Sequence, residues 1–206
     1  HLAFTTTRVM NVCAVAGQTA GTAAAMCAKE KIFPRDISAS PERVETLRQK
    51  LLRDGQIILG AKNNDPLDLA RSAKVSATQT CDGTTPENIL TGQIFDMKGE
   101  YKNRWRAEIK TKPSITLEWD KPVKISEVAI NLDTGSRLLT QTVETALMKR
   151  VLQAPQPETL KDFNVKATLA DGTEKELANI RGNHQKRCII KIPEVDAKKL
   201  TVECVA

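Results

Sequence analysis

Hydrophobic and polar positions follow two regimes along this chain. Residues 8–29, RVMNVCAVAGQTAGTAAAMCAK, contain no proline and place Ala, Val, Met, Gly and Thr on every side of a helical period. A helix apolar all round is a buried one. Val9 to Ala28 approaches the roughly 20 residues of a membrane span. Asn11, Gln18, Thr19 and Thr22 interrupt the run, however, and Ala and Gly contribute little transfer energy. A helix packed inside a soluble domain is therefore preferred over a membrane span or the apolar region of a signal peptide. KIFPRDISAS reads as a connector. Ser40-Pro41-Glu42 then opens a second helix, with Ser as N-cap and Pro at the first helical position, and Gly55 ends it. Within it Val44, Leu47, Leu51 and Leu52 recur at helical spacing while Arg43, Glu45, Arg48, Gln49 and Arg53 face elsewhere, the pattern of a half-buried surface helix.

AKNNDP, residues 61–66, concentrates turn formers and marks a boundary. Beyond it the period becomes two. Ile115, Leu117 and Trp119 alternate with Thr116 and Glu118; Val128, Ile130 and Leu132 with Ala129 and Asn131; Phe163, Val165, Ala167 and Leu169 with Asn164, Lys166 and Thr168. These are half-buried strands. Val123 and Ile125 have the opposite parity to Val128 and Ile130, so a bulge or bend is expected near Ser126-Glu127. Asp171-Gly172 supplies a hairpin turn. Cys188, Ile190 and Ile192, then Leu200, Val202 and Cys204, predict two further strands. Between Thr134 and Pro157 the pattern fails, and LLTQTVETALMKRVLQAPQP reads as a long surface excursion with a helical turn or two. Short strands joined by turns predict an antiparallel β-sandwich. The expected architecture is mainly β, preceded by two α-helices.

Composition adds exclusions. The 206 residues suit one ordinary domain plus a smaller appendage. The chain begins at His1 and ends at Ala206 inside an apolar alternation, so both ends are expected to be cuts from a larger protein. The net charge is +6, but basic and acidic residues interleave, and two Trp, one Tyr and four Phe are few for stacking on bases; nucleic acid is not expected. Five cysteines, Cys13, Cys27, Cys81, Cys188 and Cys204, show no CxxC spacing, and the two histidines do not complete a zinc set. Cys13 and Cys27 fall about 21 Å apart along one helix, too far to bond. Cys188 and Cys204 fall at inward strand positions, as small hydrophobes.

Two stretches resemble known families. TTRVMNVCAVAGQTAGTAAAMCAKEKIFPRDI resembles the C-terminal end of the flavin domain in bacterial FAD-dependent oxidoreductases, over about the first sixty residues. In that family the helix points its N-terminus at the flavin ring, where backbone N–H groups and the positive helix end stabilise negative charge. The resemblance implies FAD contacts at Thr7, Arg8, Val9 and Met10, with the rest of the flavin domain as partner. Beside this stands the plain alternative that these residues merely start a buried helix. Close packing is likewise the simpler account of Gly17 and Gly21.

From Leu67 to Ala206, the segments SAKVSAT, PENILTGQ, NRWRA, SITLEWDKPVKISEVAI, KDFNVKATLADGT and KKLTVECVA resemble a discoidin-type, galactose-binding-like jelly roll lacking its last strand. The implied organisation is residues 1–60 as terminal flavin-domain helices, 61–66 as linker and 67–206 as the sandwich. Trp105 and Trp119 are read as core. Tyr101, Asn103 and His184 are candidate glycan-contacting loop residues, with solvated loop positions as the alternative. Modules of this fold often hold calcium near the segment PENILTGQ, with aspartate where this chain has Thr91; a neutral hydroxyl argues against calcium. A secreted or periplasmic location follows from the resemblance alone.

No GxGxxG turn is present for a dinucleotide, no GxSxG, and neither His1 nor His184 lies beside a hydrolytic motif. No catalytic residue can be named. The expected function is the C-terminal part of an FAD-dependent oxidoreductase acting on a small organic, carbohydrate-related substrate. The rivals are a glycan-binding module and a purely structural sandwich.

Overall fold

The computed structural model describes residues 9–97, 100–135, 148, 150–152 and 154–206. The chain forms two compact units, residues 1–68 and 69–206.

In the first unit, α1 (Met10–Glu30) is followed by α2 (Pro34–Ser38) and α3 (Pro41–Arg53). α2 falls in the segment expected to be a connector. Its start is set by Pro34 at the first helical position and by Asp36, whose carboxylate accepts from the Phe33 N–H at 2.8 Å. Ser40 caps α3 through the Arg43 N–H at 3.3 Å, Pro41 occupies the first position, and Gly55 follows its end at φ 88°, a conformation that costs glycine no Cβ clash. Leu51 and Leu52 are buried, and Val44 and Leu47 half-buried, as their spacing requires.

The expectation of an all-round buried α1 is overturned. Only Met26 and Cys27 are buried, packing with Ile37, Val44 and Leu47, whereas Val9, Met10, Val12 and Val15 are exposed. The reason is that apolar composition supplies a tendency to be covered, while coverage needs neighbours; α2 and α3 reach only the C-terminal turns of α1. Further up, Gln56 docks on the helix, its amide donating to the Val15 carbonyl at 3.0 Å. Among the described residues no helix is long and apolar enough to cross a membrane.

The second unit contains β1 (Lys74–Ala77), β2 (Ser114–Asn131), β3 (Phe163–Leu169), β4 (Glu174–Ile180) and β5 (Arg187–Cys204) in one antiparallel sheet of order β1-β2-β5-β3-β4. β2 and β5 are 18 residues each, so each pair of strands expected from the sequence is one continuous strand with an irregularity in it. The register slips twice. Between Ile125 and Glu127 only Ser126 stands opposite Ile192-Pro193-Glu194, the bend expected from parity; between Glu118 and Val123, four residues ending in Pro122 stand opposite Lys198. A proline lies in both slips, because it has no N–H to offer the ladder.

The bends let both halves of the long β2–β5 ribbon cover one core. Ile125, Val128 and Val195 from one half pack with Trp119, Ala197 and Leu200 from the other and with Phe163, Val165 and Ala167 of β3. Phe163, Val165 and Ala167 alternate with half-buried neighbours on β3, which is the period-two pattern realised. The hairpin at Asp171-Gly172 forms as expected, with Gly172 at φ 86° and Leu169 N–H donating to the Thr173 carbonyl at 2.8 Å. β1 and β4 were not legible as apolar alternations, since β4 is a charged edge strand and β1 only four residues long. The excursion expected over 134–157, with its helical turns, lies largely outside the described residues.

Candidate functional site

Thr7 and Arg8 lie outside the described residues. Val9 is the N-cap of α1, in an extended conformation, and Met10 its first helical residue, 73% exposed. The first helical bond runs from the Cys13 N–H to the Val9 carbonyl at 3.0 Å. The amides before Cys13 therefore have no acceptor within the helix. Among the described residues no side chain caps this end, and no acidic residue occupies the first turn. The helix start is thus positive, uncapped and rimmed by exposed apolar side chains, a surface suited to an electron-rich planar group and hostile to none of its negative charge.

The second site is built on residues 93–97 and 100–106. Its organiser is Asp96, whose side chain is 1% exposed. One carboxylate oxygen accepts from the Lys102 N–H at 3.0 Å and the Asn103 N–H at 2.9 Å, and the other from Arg104 Nε at 2.5 Å. Burying a carboxylate is tolerable only when its acceptors are filled, and here three donors fill them. Asn88 clamps the same loop from a neighbouring 3₁₀ turn, its amide donating to the Tyr101 carbonyl at 2.8 Å and the Arg104 carbonyl at 3.1 Å. Arg104 also pairs with Asp133, just after β2. Burial disfavours the Arg104 charge, but the bonds to Asp96 and Asp133 outweigh it and hold the guanidinium above its ordinary pKa.

The loop thereby presents Tyr101, 43% exposed, with the Arg106 guanidinium 4.7 Å and the Arg104 guanidinium 5.9 Å from its ring centroid. Asn103 is half-buried and spends its amide on the Phe95 carbonyl at 2.8 Å, so it shapes the loop as well as bordering Tyr101. Trp105, expected in the core, is instead half-buried on the same loop and outside the core cluster, because its indole N–H is held between the Gln79 carbonyl at 3.2 Å and the Thr80 hydroxyl at 3.1 Å. Trp119, 4% exposed, is core and donates to the Leu69 carbonyl at 2.9 Å.

His184 is exposed on the loop between β4 and β5. That loop meets the end of β2, where the Leu132 N–H donates to the Lys186 carbonyl at 2.7 Å and Arg187 to the Asn131 side chain at 3.2 Å. Residues 131–133 thus connect the His184 loop to the Tyr101 loop through Asp133 and Arg104. No direct bond joins His184 to Tyr101 or Asn103 among the described residues.

Asp96, Asn88, Arg104, Arg106 and Asp133 were not singled out from the sequence. The only signal was the density of loop-forming polar residues around NRWRA. Thr91, the position weighed for calcium, donates its hydroxyl to the Asn88 carbonyl at 3.2 Å and accepts from the Gln93 N–H at 3.4 Å, finishing the 3₁₀ turn. Among the described residues no three His, Cys, Asp or Glu side chains group as a metal site.

Comparison with known proteins finds architectural likenesses for the β unit. One is the family 32 carbohydrate-binding module of C. perfringens NanJ, solved with galactose: TM-score 0.46, 14% identity, 66% of this chain and 85% of that one. Another is the family 32 carbohydrate-binding module of Streptococcus pneumoniae EndoD: TM-score 0.46, 22% identity, 65% of this chain and 82% of that one. A third is the lectin domain of Lectinolysin, solved with Lewis B antigen: TM-score 0.47, 14% identity, 67% of this chain and 85% of that one. No curated protein matches the chain. Residues 1–51 match the family model described as FAD dependent oxidoreductase.

Proposed function

We propose that this chain is the C-terminal part of an FAD-dependent oxidoreductase acting on a small organic, carbohydrate-related substrate. In this reading residues 1–60 are the terminal helices of the flavin domain, 61–66 the connector and 67–206 an appended galactose-binding-like sandwich. The observation that carries it is the start of α1: an uncapped, acid-free helix N-terminus with exposed Val9, Met10, Val12 and Val15, inside the segment that matches the family model. Flavin, when bound, supplies hydride transfer and holds negative charge on its reduced ring. The part of this chain is one wall: the first-turn amides face that charge, and the apolar rim at Val9 and Met10 keeps water from it. Thr7 and Arg8 belong to the same proposed contact set. The carbohydrate-related substrate rests on association with the appended module.

The test is to express the chain together with its upstream coding sequence, desalt it extensively and record visible absorbance. Flavin bands are expected, and they should disappear when the segment Arg8–Ala28 is deleted. A colourless, well-folded protein without a glycine-rich dinucleotide turn overturns the reading.

A second reading has its own observation. Tyr101 is exposed on a loop fixed by Asp96 and Asn88, which favours the β unit as a glycan-binding module. An apolar ring held on a rigid loop loses little conformational entropy when a sugar face stacks on it. Titration of the chain with a panel of oligosaccharides, with Tyr101→Ala as control, tests this; saturation that survives the substitution removes Tyr101 from the site.

A further inference from the structure

We infer that the Tyr101 loop selects a carboxylated saccharide, with Arg106 reading the carboxylate; this rests on the second reading above and names the ligand class of that site. Every other described charge on the loop is answered: Arg104 by Asp96 and Asp133, Lys102 by Glu100 at 3.1 Å. Arg106 is exposed, packs its guanidinium against the Tyr101 ring, and among the described residues has no carboxylate partner. Its backbone is fixed, since its carbonyl accepts from the Cys81 N–H at 2.8 Å.

A guanidinium held beside an aromatic ring presents a planar fork next to an apolar surface. Carboxylates match that fork bidentately, and the C–H face of a pyranose matches the ring. The surroundings lean the same way. Lys186 at the end of the neighbouring loop and Arg187 at the start of β5 lie across residues 131–133, and the carboxylates Asp96, Asp133 and Glu100 are engaged, the first two by Arg104 and the third by Lys102. The local field therefore favours an anion over a neutral sugar.

The test uses the full chain and two probes differing only in charge: trigalacturonic acid and its methyl ester. Calorimetric titration at low and high salt is combined with the NMR shift of the Trp105 indole N–H, which reports on the same loop. The acid is expected to bind about tenfold more tightly than the ester, with the advantage shrinking as salt rises. Arg106→Ala should bring acid and ester to parity, Arg106→Lys should restore part of the difference, and Tyr101→Ala should weaken both. Both residues are exposed, so an unchanged melting curve verifies that the variants fold. Equal binding of acid and ester by the unaltered chain overturns the proposal while leaving glycan binding intact. No binding of either probe, or of any neutral oligosaccharide, overturns both.

Discussion

Asp96 offers a sharp test of how the candidate loop is built. Its carboxylate is almost wholly buried and accepts from two backbone N–H groups and one guanidinium. Replacing it with alanine leaves the Lys102 and Asn103 amides without their acceptor and Arg104 with only Asp133, a half-exposed partner worth little alone. An orphaned buried donor costs about 1–3 kcal/mol, and the losses overlap, so Asp96→Ala should cost about 3–4 kcal/mol. For a unit of this size the thermal midpoint should fall by about 10 °C. Asp96→Asn separates the contributions. Its carbonyl can still serve the two amides, but its NH₂ then faces Arg104 Nε, donor against donor; the expected cost is about 2 kcal/mol. Urea unfolding followed by tryptophan emission reads both scales, because Trp105 lies in the loop and Trp119 in the core. In Asp96→Ala the Trp105 signal should change before the main transition. A variant within about 0.5 kcal/mol of the parent, with unchanged Trp105 emission, refutes the view that Asp96 organises this loop.

Other expectations follow from single observations. Trp119→Ala should cost about 3–5 kcal/mol by chemical unfolding, since it empties the core and orphans the Leu69 carbonyl; a cost below 1 kcal/mol would place the residue outside the core. A Cβ added at Gly17 or Gly21 meets nothing within 4 Å, so each glycine-to-alanine change should stabilise α1 by about 1 kcal/mol in this chain. The same changes should weaken flavin retention in the longer protein if the helix packs closely there; destabilisation of the present chain contradicts the exposed placement of α1. Burial pushes the Cys204 thiol up from 9.0 to about 11. In the unfolded chain it ionises near its ordinary pKa, so the native state holds the extra proton between pH 9 and 11 and stability falls across that window as pH rises. Cys204→Val should remove this contribution, and an identical pH profile in parent and variant, measured by urea midpoint, would show that the thiol does not matter.

The local rules written in the sequence were sufficient for much of the fold. Ser40, Pro41 and Gly55 determine where α3 starts and stops, because caps and positive-φ positions act within a few residues. The parity switch between Ile125 and Val128 already required the β2 bend, since side chains alternate without exception along a strand. Phe163, Val165 and Ala167 marked the most buried strand for the same reason. The match of residues 1–51 to a flavoprotein family was likewise legible in RVMNVCAVAGQTAGTAAAM.

What only the tertiary structure decided depended on partners distant in sequence. α1 reads as buried by composition, yet burial is a property of its neighbours, and the cluster with α2 and α3 buries Met26 and Cys27 and half-buries Ala23. β1 and β4 earn their place by edge pairing with β2 and β3, through backbone bonds to which short or charged sequences give no clue. The candidate loop is the clearest case. Asp96 meets the amides of Lys102 and Asn103, Asn88 reaches Tyr101, and Asp133 reaches Arg104 across 29 positions. Each of those residues is an ordinary polar side chain in sequence; only the closure of the chain onto itself turns them into a frame that holds an aromatic ring and a cation at the surface.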